Sequence, residues 1–405
     1  MAHAKLLSFR AQRGISPCRT SNGHGEIPRL AALARNDNAS LRAGNFWLTT
    51  VLLAGAAALL LAVAAPALAW GDKGHVLITE EAVQRLPEPL RGLFQDGGNL
   101  PVLKEKSLAP DRRVKALEEE LKEGKIQQPA YQAERSKHFF DIDAITTEPY
   151  PFKDFPRDRA AAREKFGAEA FMKFGSVPWV AADASAALTE ALTKGRPDAI
   201  FDAAGDLSHF AADLHQPFHV AKNYNGRDTG NDNIHGRLEI GLLNRYLDFY
   251  AAEIRKDRRD VVYIEDVQGS LFDWLIEAHS RAATILDADT AARKRTGYVS
   301  PQSRDEADKE LDDVASERLK PYYAAFKAEL ESRGSPEVLA LRDSAAHIAQ
   351  LYYSAWVRAG KPLSLTPPPV VAEKQPEPPG IPLWLIGVAM ALLFFLFLPR
   401  RTPKV

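Results

Sequence analysis

Residues 209–219 read HFAADLHQPFH, which places three of the chain's ten histidines and an aspartate in one short stretch. His209 and Asp213 are four apart, a spacing that puts both side chains on one face of a helix. Imidazole nitrogen and carboxylate oxygen are natural zinc ligands at about 2.0–2.2 Å. His215, two residues from Asp213, must point elsewhere, into a supporting hydrogen bond or to the surface. His219 lies beyond Pro217 and can turn back toward the first pair. IHGRLE repeats the four-residue spacing between His235 and Glu239. SKHFFDID supplies His138 among aromatics, followed by Asp141 and Asp143, and LAPDRR supplies Asp111 after a proline. Taken singly, each piece has a plain structural reading: a polar pair on a helix surface, a core histidine, a helix N-cap. Taken together, they are a ligand set for metal.

The elements that must position these residues are helices. Between 70 and 360 no alternating strand pattern stands out, whereas apolar residues recur at helical spacing. HVLITEEAVQRL, PWVAADASAALTEALTKG and EVLALRDSAAHIAQLYYSAWVRAG show it, with Gly195 and Gly360 closing two of them. FDAAGDLSHFAADLHQ reads as a helix ended by Pro217. Ser335 and Pro336 suit the N-cap and first turn of the last helix. Residues 141–158 and the Asn- and Gly-rich 221–233 read as loops. The expected fold is all-α, with one helical domain over 70–360. The charged residues of 261–360 are expected to face water, and His279 and His347 have no acidic partner at metal spacing.

The ends differ from the middle. The chain has 405 residues, 45% of them apolar, and a formal net charge of −1, so charge alone gives no reason to expect nucleic-acid binding. FWLTTVLLAGAAALLLAVAA (46–65), preceded by Arg42 and followed by PALA, reads as a secretory signal peptide over 42–69, cut after Ala69. An uncleaved anchor is the alternative. Residues 1–41 form a basic leader, read as a false upstream start or a transit peptide. The only cysteine, Cys18, lies in that leader. A mature chain would therefore rely on its core or on metal. At the other end, 361–381 is a Pro-rich tether, 382–399 an apolar run near the ~20 residues a bilayer requires, and 400–405 a basic tail held on the cytoplasmic side. That arrangement gives a membrane protein with its helical domain periplasmic or extracellular. The Pro-Glu-Pro, apolar stretch and Arg pair also resemble a bacterial exosortase sorting signal, which would be removed.

A cut after Ala69 would start the mature protein at WGDKGH. A free α-amine has a pKa of about 8. Its neutral form is a nitrogen ligand that the Trp70 carbonyl can complete into a chelate, with His75 five residues on. The ordered motifs Trp-Gly, H-F-x-D-x-D, H-x-x-x-D-x-H-x-P-x-H and H-x-x-x-E resemble the zinc-dependent phospholipase C and S1/P1 nuclease superfamily. The resemblance spans most of 70–260. It implies an all-α fold and three zinc ions. Asp111, His138, His209 and Asp213 would hold the first ion, and His219, His235 and Glu239 the second. Trp70 and His75 would hold the third, with Asp213 bridging it to the first. Glu239 as the last ligand, the HFFDID, VPW and NYNG sequences and the lack of disulfides are closer to the bacterial phospholipase C-like branch. The stretch from Trp70 to His75 is shorter than in the choline-lipid enzymes, and no choline pocket can be assigned.

Zinc lowers the pKa of bound water to near 7, and a hydroxide shared across Asp213 would attack a phosphodiester. Asp111 could accept a proton from the attacking water. The expected substrate is a phospholipid, cleaved to diacylglycerol and a phosphorylated headgroup. The alternatives are an S1/P1-type single-strand nuclease or 3'-nucleotidase, with nucleic acid as substrate only, and a non-catalytic domain that uses zinc for structure. Phe218 and Tyr224 could line a base or headgroup site, although such aromatics more often pack, as Trp179 does.

Overall fold

The computed structural model describes residues 70–363, apart from 302 and 314. The expected leader (1–41), signal peptide (42–69), apolar run (382–399), basic tail (400–405) and nearly all of the tether (361–381) lie outside the described residues. Among the described residues no helix is long and apolar enough to cross a membrane.

The all-α expectation is borne out. The described chain is mostly helical and forms no strand, only a single antiparallel bridge between Phe140 and Gly175. The principal helices are α1 (Gly71–Arg85), α2 (Asn99–Lys106), α3 (Ala109–Lys122), α4 (Val177–Thr193), α5 (Pro197–His215), α6 (Val267–Thr296), α7 (Lys320–Ser332) and α8 (Pro336–Arg358). Helix α5 is central. Every residue from Leu207 to His215 is buried, and α1, α2, α4, α6 and α8 all pack against it. Over that stretch the helix has no solvent face on which to leave polar side chains. Its histidines and Asp213 are therefore buried by the architecture, and each needs a partner inside.

One close approach sets the geometry near α5. A Cβ built on Gly205 would fall 2.5 Å from Lys106 Cβ and 2.6 Å from the Lys106 carbonyl carbon. Only glycine lets α2 end this near to α5. A second crowded point is Gly175, at φ +90°, where a Cβ would meet the Phe139 carbonyl oxygen at 1.9 Å. That contact holds the His138–Phe140 segment against the start of α4, where Ser176 N donates to Phe139 O at 2.8 Å.

Local expectations met different fates. Pro217 does end α5, and Gly195 and Gly360 follow α4 and α8 in left-handed conformations. Pro336 opens α8, but Ser335 is left-handed at φ +54° and its side chain makes no capping bond. Ser335 N reaches back to Leu330 O at 2.9 Å, so a turn from α7 shapes this start. The expectation that the charges of 261–360 face water is wrong in part: Arg281, Asp289, Glu310, Glu337 and Asp343 are buried. Arg281 with Asp343, Asp289 with Arg237, and Glu337 with Tyr250 meet partners 52 to 87 residues away, which local sequence pattern does not show.

Candidate metal centre

Asp111, His138, His209, Asp213, His219, His235 and Glu239 are all buried, as is His75. They converge in three groups whose ligand atoms lie within 4.8 Å of one another: His75 with His209 and Asp213, Asp111 with His138 and His209, and His219 with His235 and Glu239. Such groups could hold metal ions. The grouping differs slightly from the expected one, because His209 belongs to two groups and its ring stacks on His75 at 4.0 Å between centroids.

Two of the rings, those of His209 and His219, are held from behind by backbone carbonyls. The Gly205 crossing brings the Ser107 carbonyl to His209, whose Nδ1 donates to it at 2.8 Å. That bond fixes the tautomer and leaves a lone pair on His209 Nε2. This atom lies 3.4 Å from Asp213 Oδ2, 3.6 Å from Asp111 Oδ1 and 3.0 Å from His138 Nδ1. His138 Nδ1 is in turn 3.1 Å from Asp213 Oδ2 and 3.5 Å from Asp111 Oδ1. Asp111 is in the first turn of α3 rather than at its cap. His75, on α1, places Nε2 3.4 Å from Asp213 Oδ1.

The segment after Pro217 returns the chain as expected. His219 Nδ1 donates to His138 O at 2.5 Å, and Phe140 N donates to His219 O at 2.7 Å, so the two histidine segments lock each other. His219 Nε2, now the lone-pair nitrogen, lies 3.8 Å from Glu239 Oε2. His235 Nε2 is 2.9 Å from the same oxygen. Glu239 sits not on an ordinary α-helix but on a π-helical turn, Arg237–Leu242. Such turns are rare and recur at functional sites. Gln216, overlooked in the sequence although it lies inside the HFAADLHQPFH stretch, donates from Nε2 to Glu239 Oε2 at 3.0 Å.

Electrostatically the cluster lacks a cation. Among the described residues, the ion-pair partners of Asp111, Asp213 and Glu239 are all histidines. Burial pushes the Asp111 carboxyl up to about 7, and nearby Asp213 and Glu239 add to this while His209 opposes it. Burial also drives Asp213 well above the usual carboxylate range. Burial, and then His209, His219 and His75, hold His138 well below the usual imidazole range, and burial lowers His209. Burial alone would raise Glu239, but His235 and His219 outweigh it and hold its carboxyl below the ordinary value. Asp111 Oδ2, Asp213 Oδ1, His138 Nε2 and His219 Nε2 are buried without a hydrogen-bond partner among the described residues. Buried acceptors left unmatched are costly. Lone pairs of nitrogen and carboxylate oxygen converging on shared points fit cations far better than they fit one another.

Trp70 is also buried, and its indole Nε1 donates to Ala212 O at 3.0 Å, beside Asp213. Its φ of +45° and that of Gly71 at +55° start α1 there. Phe218 is core, whereas Tyr224 is half-buried with its ring 6.2 Å from that of His235. Trp179 is core, its Nε1 donating to Arg157 O at 2.8 Å.

The remaining histidines have partners the spacing did not reveal. His215 is buried, not at the surface. Its Nδ1 donates to Ala211 O, and its Nε2 meets His347 Nδ1 at 2.7 Å. His347 stacks on Trp274 at 4.0 Å. His279 does have an acidic partner, Asp143 Oδ2 at 3.3 Å, which comes from the HFFDID segment across the fold. No protein-family model matches the chain, and no curated protein matches it in sequence.

Proposed function

We propose that the chain is an exported zinc-dependent phosphodiesterase acting on phospholipids in the manner of a phospholipase C. The observation that carries the reading is the convergence of three buried histidine–carboxylate groups, two of them joined through His209, with no lysine or arginine paired to their carboxylates among the described residues. Structural zinc sites mostly close with cysteine or histidine. Here each group includes a carboxylate beside its histidines, which favours an open, catalytic site.

On this reading Asp111, His138, His209 and Asp213 hold one zinc, and His219, His235 and Glu239 a second. His75 holds a third together with the amine and carbonyl of Trp70, exposed by a cut after Ala69. Asp213 would serve both the first and the third. Bound there, the ions would supply an activated water and positive charge for the phosphoryl oxygens. The chain's own residues do the rest. Ser107 O and His138 O orient the rings of His209 and His219, and Gln216 steadies Glu239. Asp111 would accept a proton from the attacking water. A tether through 382–399 would keep this site beside its substrate.

The test is metal content and substrate range. Purified protein should bind about three zinc ions per chain and hydrolyse lecithin-type vesicles faster than denatured DNA or a 3'-nucleotide. Preference for DNA would move the protein to the nuclease side. Full zinc without activity on any phosphodiester, a chromogenic ester included, would leave only a structural role for the metal. N-terminal sequencing should begin at Trp70, and one extra residue before Trp70 should cost the third zinc. An Asp111→Asn protein that keeps zinc and full activity would remove Asp111 as proton acceptor.

A further inference from the structure

Residues Arg237 and Glu239 are two apart on the π-helical turn, so their side chains leave it in different directions. Glu239 enters the candidate metal centre. Arg237 goes the other way, into a second buried network. Its Nη2 donates to both carboxylate oxygens of Asp289 on α6, at 3.1 and 3.0 Å. Its Nε donates to Tyr322 OH on α7 at 2.9 Å, and its Nη1 donates to Asp232 O. Tyr322 OH donates to Asp289 Oδ1, and Asn231 Nδ2 donates to Asp289 Oδ2 at 2.7 Å. The guanidinium is thus held by groups from α6, α7 and the loop leading into the turn.

We infer that the Arg237–Asp289 pair, locked by Tyr322 and Asn231, is a positioning device for His235 and Glu239, and that this is what the α6–α7 segment contributes to the metal centre. Three observations support it. The turn carrying Glu239 has π geometry, which external contacts must sustain. Arg237 and Asp289 are both nearly inaccessible, at 1% and 0%. A buried ion pair is a poor source of net stability, and its best-attested use is to fix one arrangement over others. The turn is also seated directly on α7: a Cβ on Gly241 would fall 1.9 Å from Tyr323 OH. A shift of the pair therefore moves the turn as a body, and with it two ligands of one group. The partners of metal ligands typically alter affinity by 10–100-fold when lost.

The inference rests on the zinc reading, and the experiment separates the two. The full chain is stripped of metal and titrated with zinc alone, with stoichiometry and affinities read for each equivalent and helicity followed by circular dichroism. The double variant Arg237→Met with Asp289→Leu removes both charges together, so no lone charge is left buried. It should retain its helicity and two tight equivalents while the third weakens at least tenfold. Tyr322→Phe, which deletes only the hydroxyl, should weaken the same equivalent by a smaller factor. Removing another buried pair, Arg281 of α6 with Asp343 of α8, by Arg281→Met with Asp343→Leu should leave all three unchanged. Unaltered zinc binding in the Arg237 variants overturns the inference and leaves the zinc reading standing. Equal weakening in the Arg281 control, or unfolding of all the Arg237 and Tyr322 variants, overturns it as well, because the pair would then be a general support. A wild-type chain that takes up no zinc overturns the zinc reading itself.

Discussion

Two buried polar clusters lie either side of one short turn, and they are built on opposite principles. Around Asp289 donors and acceptors match: a guanidinium, a hydroxyl and an amide converge on one carboxylate, and both its oxygens are used. Around Asp213 donors are scarce: ring nitrogens and carboxylate oxygens crowd within 3.0–3.6 Å of one another, and His138 Nδ1 has one proton at most to share between Asp213 Oδ2 and His209 Nε2. Both are equally dry. The difference shows that burial alone does not distinguish a structural polar cluster from a site for a ligand. The matching of donors to acceptors does, because an interior that leaves acceptors unmatched is one that could hold a cation.

The sharpest way to break that contrast is to substitute one carboxylate in each cluster. Asp289→Asn leaves the Arg237 charge unpaired inside the protein and should cost about 3–5 kcal/mol in denaturant unfolding, with or without metal. Asp213→Asn in metal-free protein removes a desolvated group that has no cationic partner, so it should be near neutral or stabilising. In zinc-loaded protein the same change should abolish activity. Equal destabilisation by both substitutions in metal-free protein would erase the distinction.

Chelation is the next largest effect. Each zinc site held at a thousandfold excess over its Kd adds about 4 kcal/mol to stability. Removing zinc should therefore lower the thermal midpoint of the wild type markedly and that of Asp213→Asn much less. Comparable shifts in the two proteins would count against Asp213 as a shared ligand.

The pH profile tests Asp111. Its carboxyl is held at about 7 in the metal-free fold, against about 4 in an unfolded chain. Between these values the folded state binds the extra proton, so stability from this group is fully present below pH 4 and is lost as pH rises to about 7. Relative to the wild type, metal-free Asp111→Asn should gain on the order of 4 kcal/mol across that window. A flat difference would show that burial does not hold this proton. Zinc must displace it, so zinc affinity should rise with pH until about 7.

The smallest effect is expected from Gln216→Leu, which deletes the donor to Glu239 and keeps the volume. It should weaken one zinc equivalent by about tenfold and, because Gln216 Oε1 also accepts from the buried Phe218 N, lower the stability of metal-free protein by about 1–3 kcal/mol. An unchanged titration would make Gln216 a spectator.

What the sequence made legible follows the range of the interaction. Four-residue spacing was enough to pair His209 with Asp213 and His235 with Glu239, and Pro217 marked the end of α5, because these depend on neighbours along one turn. The all-α reading rested on the same short-range periodicity. The π geometry at Glu239 was not legible, since it depends on α7 pressing on Gly241. Neither was the burial of Arg237 or the facing of His215 and His347, whose partners are 52 to 132 residues away. Charge in 261–360 looked solvated because nothing local marks a residue whose counterpart lies on another helix. Zinc content, substrate range and N-terminal sequencing decide the zinc assignment, the lipid substrate and the export signal.

Gly205 carries no reactive group, yet it works as a spacer gauge for the centre. A single methyl there would lever α2 off the central helix, carry the Ser107 carbonyl away and release the imidazole of His209 to rotate. Gly205→Ala would thus disarm the ligand shared by two groups from one full turn away, without touching a donor atom.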